Sequence, residues 1–226
     1  MTREIPLLCT DEVVRAYLAG RKTQTRRPIK WATNPCGEPA DHLCQIGTTG
    51  RWIAWWGPAD QEACQQLTDR VYRPEVGLPG LCQPGDRVWI RETWWQRPSD
   101  GVIIYAADGA MGFDETSMAH RMGIGNIANE KVPDAELRRC EFVKRPSIHM
   151  PRWAARIVLP VVSVRAERVR DITPEDCRAE GSHYPVDQDD EGGFFNLWNS
   201  LYGDRHPVET TWCWVIETKP FKGASQ

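Results

Sequence analysis

No apolar run in this 226-residue sequence is long enough to cross a bilayer, and Met1 to Val14 lacks the long apolar centre of a signal peptide. The expected setting is cytoplasmic, with no membrane partner. Neither sign of charge dominates: 28 Lys and Arg against 31 Asp and Glu leave a net charge of −3 and a pI near 6.0. That excludes a molecule that grips long nucleic acid with its whole surface, so any cation-rich site is local. The sequence has no G-x-x-x-x-G-K-[ST] loop, no H-E-x-x-H helix and no G-x-S-x-G elbow, which leaves nucleotide triphosphatase, zincin and alpha/beta-hydrolase chemistry without support. Nor does it contain a C-x-x-C pair. The eight cysteines are Cys9, Cys36, Cys44, Cys64, Cys82, Cys140, Cys177 and Cys213. Without an export signal they read as reduced thiols. Cys36, His42, Cys44, Cys64 and Cys82 are zinc-ligand types, but their irregular gaps favour ordinary thiols, and neither a metal nor a cofactor is expected. Internal repeats and low-complexity segments are absent too.

What is present suits a folded chain: 41% apolar and 26% charged residues, and a length that buries one substantial core. We expect a single domain over residues 1–221 with insertions at about 31–81 and 111–139, and a frayed tail at 222–226. Eleven tryptophans, several in clusters such as Trp94-Trp95 and Trp212 with Trp214, are expected mainly to fill a beta-rich core.

Asp11 to Ala19 carries an apolar stripe of Val13, Val14, Tyr17 and Leu18 before Gly20, the pattern of a short helix capped by Asp11. The run Arg21-Lys22-Thr23-Gln24-Thr25-Arg26-Arg27-Pro28 follows just past its end. Taken alone, that run reads as a solvated cationic turn complementing the helix C-terminus. From Trp31 to Leu81 the pattern breaks into Gly, Pro, Cys and scattered Trp, an irregular insertion with a short helix around Gln61 to Leu67. Met111 to Arg139 reads as a second surface excursion. Strands are expected over Arg87 to Trp94, Val102 to Ala106, Arg156 to Val169 with a bulge near Pro160, and Thr211 to Thr218. Thr173-Pro174-Glu175-Asp176 opens a helix ending at Gly181, and Phe194 to Tyr202 forms another. The implied class is α+β with a mixed, closed or nearly closed sheet.

Gly20 to Arg27 resembles the G-x-K-x-x-x-x-R signature of the ASCH family, small beta-barrel proteins related to the PUA domains. Further segments resemble the family in the same order: Pro84 to Trp94, Pro146 to Trp153, Asp171 to Asp176 with Ala179-Glu180-Gly181, and Trp212 to Lys219. Together they look like the larger ASCH proteins of bacteriophages and prophages. The resemblance spans most of the chain, residues 31–81 and 111–139 least. It implies a PUA-like mixed β-barrel with flanking short helices and a cleft that takes RNA or nucleotide-like ligands. Some small members hydrolyse acetylcytidine, and the residues matching their working set are Lys22, Thr25 and Glu180.

Amide hydrolysis needs a nucleophile, an acceptor for its proton and positive charge at the developing oxyanion. The expected scheme is attack by Thr25 assisted by Lys22, with Glu180 serving the leaving amine. Arg21, Arg26, Arg27, Arg91, Glu92, His149 and Arg152 are candidate substrate-binding residues. Arg91 and Glu92 fit an ion pair or a cleft wall equally. His149 fits a structural role first; Arg152 and Trp153 suit phosphate and base, although a Trp beside a strand is more often core. The expected partner is a modified nucleoside or short RNA. A non-catalytic RNA-binding module and an RNA-cleaving enzyme are the competing functions, since the same cations suit phosphates.

Overall fold

The computed structural model describes residues 2–29, 40–46, 51–55, 82–108, 134–181 and 190–222. These form an α+β protein with ten strands and four α-helices among the described residues: β1 (Glu4–Leu8), α1 (Asp11–Leu18), β2 (Gln24–Pro28), β3 (His42–Ile46), β4 (Arg51–Trp55), β5 (Arg87–Arg91), β6 (Trp94–Gln96), β7 (Ile103–Tyr105), α2 (Asp134–Arg139), β8 (Val143–Arg145), β9 (Val158–Arg168), α3 (Pro174–Ala179), α4 (Asp190–Tyr202) and β10 (Trp212–Thr218). The strands form a five-stranded sheet of order β1-β5-β9-β10-β2, the β3-β4 hairpin, and a three-stranded sheet of order β7-β6-β8. The expected barrel closure is not among these pairings: β1 and β2 are the outer strands of the largest sheet.

The chain divides into two compact units. The first comprises residues 1–5, 21–87 and 160–219, and the second residues 6–20, 88–159 and 220–226. In the first unit β10 runs antiparallel to both β2 and β9. A register shift at Glu217 and Thr218 supplies the bulge expected near Pro160. One side of this sheet packs Cys213 and Val215 with Val169, Ile172, Cys177, Phe194, Trp198 and Val208, so α3 and α4 cover that side. Thr173 caps α3 by accepting a hydrogen bond from the Asp176 amide at 3.2 Å, with Pro174 at the first helical position.

In the second unit α1 buries Val14, Ala16 and Tyr17. Its cap position is Thr10, and Asp11 is the first helical residue, one position from the expected boundary. β6 pairs with β7 and β8, and its two tryptophans serve different cores: Trp95 packs with Leu137 and Phe142, Trp94 with Met150 and Ala154. That is the period-two alternation of a strand.

Four expectations change. Residues 24–28 form a strand instead of continuing a turn, because β10 supplies the hydrogen-bonding edge that local sequence does not reveal. The supposedly irregular stretch after Trp31 contains the β3-β4 hairpin, while the helix expected at Gln61 to Leu67 lies outside the described residues. The single strand expected over Arg87 to Trp94 divides into β5 and β6. Within the 111–139 excursion, Asp134–Arg139 is helical.

Candidate functional site

In the first unit the antiparallel register lines up three rows on one face of the sheet. Gln24 sits opposite Glu217, which sits opposite Ser163. Arg26 sits opposite Val215 and then Arg165, and Pro28 opposite Cys213 and then Glu167. Cross-strand partners share a face, so these side chains project together toward α3. Asp176 and Glu180 are four residues apart, one helical turn, and approach this face from above.

A short backbone tie fixes Glu180. The Thr23 amide donates to the Ala179 carbonyl at 2.8 Å, running residues 21–23 alongside the end of α3. Gly181 then takes a φ of +84°, a left-handed conformation that glycine adopts without steric cost. Its carbonyl accepts from Arg21 Nη1 at 3.2 Å. Lys22 Nζ consequently donates to the Glu180 carbonyl at 2.8 Å and also to Glu180 Oε2.

Arg26 is the hub. Its Nη2 contacts Glu167 Oε1 at 2.7 Å and Asp176 Oδ2 at 2.8 Å, and its Nη1 contacts Glu180 Oε1 and Gln24 Oε1, each at 3.2 Å. The guanidinium carbon lies 5.8 Å from the centroid of the Phe194 ring. Arg165 repeats the pattern, reaching Glu167 at 3.0 Å, Asp176 at 3.0 Å and Glu217 at 2.6 Å. Burial works against the Arg26 charge, but Glu180 and Glu167 outweigh it and hold the guanidinium protonated more firmly than usual. Burial also pushes the Asp176 carboxyl up, yet hydrogen bonding from Gln24 and the charges of Arg26 and Arg165 keep it below the usual carboxylate range. Burial drives the nearby Cys213 thiol far above its ordinary range, so it stays protonated and inert.

This cluster is not the solvated cationic turn that residues 21–27 suggest by themselves. Lys22 is 2% and Arg26 4% exposed, and Lys22, Arg26 and Arg165 face the four carboxylates of Glu167, Asp176, Glu180 and Glu217. The local positive charge is fully compensated. One donor remains, because Arg26 Nε is buried without a hydrogen-bond partner.

Lys22, Arg26 and Glu180 therefore meet. Thr25 is also buried, but it pairs with Ile216 and, by alternation along β2, lies on the opposite face from Gln24 and Arg26. Arg27 shares the face of Thr25, and its Nη1 lies 3.5 Å from the Tyr202 hydroxyl.

The remaining candidates belong to the second unit. Glu92 does not pair with its neighbour Arg91; it is fully buried and held by Arg156, whose Nε and Nη2 each reach one carboxylate oxygen at 2.9 Å. Arg156 Nη1 also donates to Asp108 at 2.8 Å, and its guanidinium stacks 4.1 Å from the Tyr105 ring centroid. Burial raises the Glu92 carboxyl, with Arg156 opposing. Arg91 donates to the Ile148 carbonyl and lies over the Trp89 ring. His149 and Arg152 are exposed.

Sequence reading missed Gln24, Arg165, Glu167, Asp176, Glu217 and Arg156. The alternation Ser163, Arg165, Glu167 was the available signal, a polar face on an otherwise apolar strand. Cys36 and Cys64 lie outside the described residues; Cys82 is buried, which pushes its thiol up to about 11. Among the described residues no His, Cys, Asp and Glu group is arranged to hold a metal, and no helix is long and apolar enough to cross a membrane. No family model matches the sequence, and comparison with curated proteins and with solved structures likewise returns no match.

Proposed function

We propose that this chain is an ASCH-type, PUA-like protein acting on a neutral, modified pyrimidine nucleoside, and that it removes an acyl group from the exocyclic amine of an acylated cytidine. The observation that carries this reading is the convergence of Lys22 and Arg26 on the Glu180 carboxylate; Lys22 and Glu180 stand at positions that resemble working residues of the acetylcytidine hydrolases. A charge-compensated cluster suits an uncharged ligand better than a phosphate chain, which favours the nucleoside over long RNA.

The roles follow from the donors and acceptors available. Lys22 and the uncommitted Arg26 Nε–H stabilise the oxyanion as the amide carbonyl becomes tetrahedral. Glu180 takes a proton from the attacking nucleophile and returns it to the cytosine amine as the C–N bond breaks, releasing the carboxylic acid and cytidine. With Thr25 on the other face of β2, water is the nucleophile that this arrangement favours. Substrate must displace one of the contacts Glu180 makes at rest.

The test is incubation with a panel of acylated cytidines and with total RNA, products being separated by chromatography. Free cytidine is expected from wild type, and a loss of at least ~100-fold with Lys22→Met and with Glu180→Gln. Thr25→Val retaining turnover supports water attack; its inactivity restores Thr25 as nucleophile. Shortened RNA would point to a nuclease. Salt-sensitive RNA retention without any product would point to a binding module.

A further inference from the structure

Glu180 meets two cations, each on a different oxygen: Lys22 Nζ reaches Oε2, and Arg26 Nη1 reaches Oε1 at 3.2 Å. Arg26 makes shorter contacts with the other carboxylates. Its Nη2 lies 2.7 Å from Glu167 and 2.8 Å from Asp176, so the fork is turned toward those two and gives Glu180 only one nitrogen. Arg165, the more exposed of the two arginines, also holds Glu167 and Asp176, at 3.0 Å each. The other groups facing Glu180 carry no competing charge to it: Arg21 binds the Gly181 carbonyl, and Cys213 of β10 is kept protonated by burial. Asp176 stays ionised near neutrality, because Gln24, Arg26 and Arg165 hold its carboxyl below the usual range against burial. It also stands one helical turn before Glu180, so its charge acts on Glu180 directly as well as through Arg26.

We propose that Asp176 and Glu167 are positioning residues that keep Glu180 able to accept a proton: by engaging Nη2, they prevent Arg26 from gripping Glu180 with both arms of its fork. A carboxylate held by a bidentate guanidinium and an ammonium together is a poor base, since both contacts favour the charged form. Sharing one guanidinium among three carboxylates divides its charge, and the negative charges of Asp176 and Glu167 oppose a further one at Glu180. The inference rests on the role proposed above for Glu180, the transfer of a proton from attacking water to the departing amine. It gives that step two further residues, which act through Arg26 and not on the reacting atoms.

Two measurements on the full chain test it. In protein with isotope-labelled glutamate carboxylates, the Glu180 NMR signal, identified by its loss in Glu180→Gln, is followed between about pH 3 and pH 8. Asp176→Asn keeps an oxygen for Arg26 but removes the charge, and is expected to move the Glu180 transition to lower pH by about one pH unit. Glu167→Gln should move it the same way, and carries the test should Asp176→Asn fail to fold. Glu175→Gln removes the same charge from an exposed position on α3 that faces Arg178 and not Arg26; its effect should be far smaller. The acid limb of kcat/KM for acetylcytidine should follow the NMR transition, with kcat reduced about threefold to tenfold by the weaker base and KM little changed. A Glu180 transition at the wild-type pH in both Asp176→Asn and Glu167→Gln, or an equal shift in Glu175→Gln, would overturn the proposal. An unmoved acid limb beside a shifted transition would overturn it too, by showing that Glu180 does not carry the proton. Wild type that releases no cytidine overturns the hydrolase reading alone, since the NMR transition is read without turnover.

Discussion

The Lys22 ammonium holds Glu180 twice, through the backbone carbonyl at the end of α3 and through the carboxylate that Arg26 also contacts. The lysine thus fixes the position of a helix end and the direction of the Glu180 carboxylate at once. Removing one member of such a buried pair strands the other's charge. Lys22→Ala is therefore expected to cost about 3–5 kcal/mol in urea denaturation, whereas Lys22→Met with Glu180→Leu should recover part of that loss in a double-mutant cycle.

Arg26 spans four acceptors with one rigid fork. A lysine presents a compact point charge and cannot reach Gln24, Glu167, Asp176 and Glu180 together. Arg26→Lys should destabilise the protein by about 2–3 kcal/mol despite conserving charge, since a charge-assisted hydrogen bond contributes roughly that much and several are lost. A denaturation midpoint indistinguishable from wild type would remove Arg26 from its role as hub.

Asp176 and Glu92 should respond to acid in opposite directions. Asp176 is held below its ordinary range despite burial, so its stabilising contribution is present above the unfolded value near ~3.9 and disappears as pH falls through the folded value. The stability gap between wild type and Asp176→Asn should narrow on acidification below about pH 4. Burial raises Glu92, so the folded protein binds its proton more readily than the unfolded chain. Stability from that group falls as pH rises through the interval between its unfolded and folded values, and Glu92→Gln should abolish this downward slope. Denaturant titrations at a series of pH values separate the two effects.

Gly181 turns the chain immediately after Glu180 with φ +84°. Gly181→Ala is expected to cost about 1–2 kcal/mol from the left-handed conformation alone. Because Lys22 and Arg21 bind the consecutive carbonyls of Glu180 and Gly181, under the proposed hydrolase reading the substitution is expected also to lower acetylcytidine turnover, measured by product chromatography.

The strongest local patterns were the most legible. The stripe from Val13 to Leu18 gave α1 within a residue, Thr173-Pro174 gave the start of α3, and the alternation from Trp212 to Thr218 gave β10. β2 was not legible, since Gln24 to Pro28 holds no apolar residue and becomes a strand only against β10. Arg91 and Glu92 fitted an ion pair and a cleft wall equally in sequence; Glu92, just past the end of β5, instead pairs with Arg156, 64 residues on.

By itself the sequence determined the residue types of the candidate site and the local elements that carry them, because capping, glycine stops and alternation are set by near neighbours. Tertiary structure decided which charges meet and which face each occupies. The β2-β10-β9 register and the Thr23 tie to α3 convert an apparently solvated run of cations into a buried network balanced by carboxylates, and leave Thr25 on the other side of its strand. Register and packing are long-range: a shift of one residue in β2 would exchange the faces of Arg26 and Thr25 without altering a single local preference.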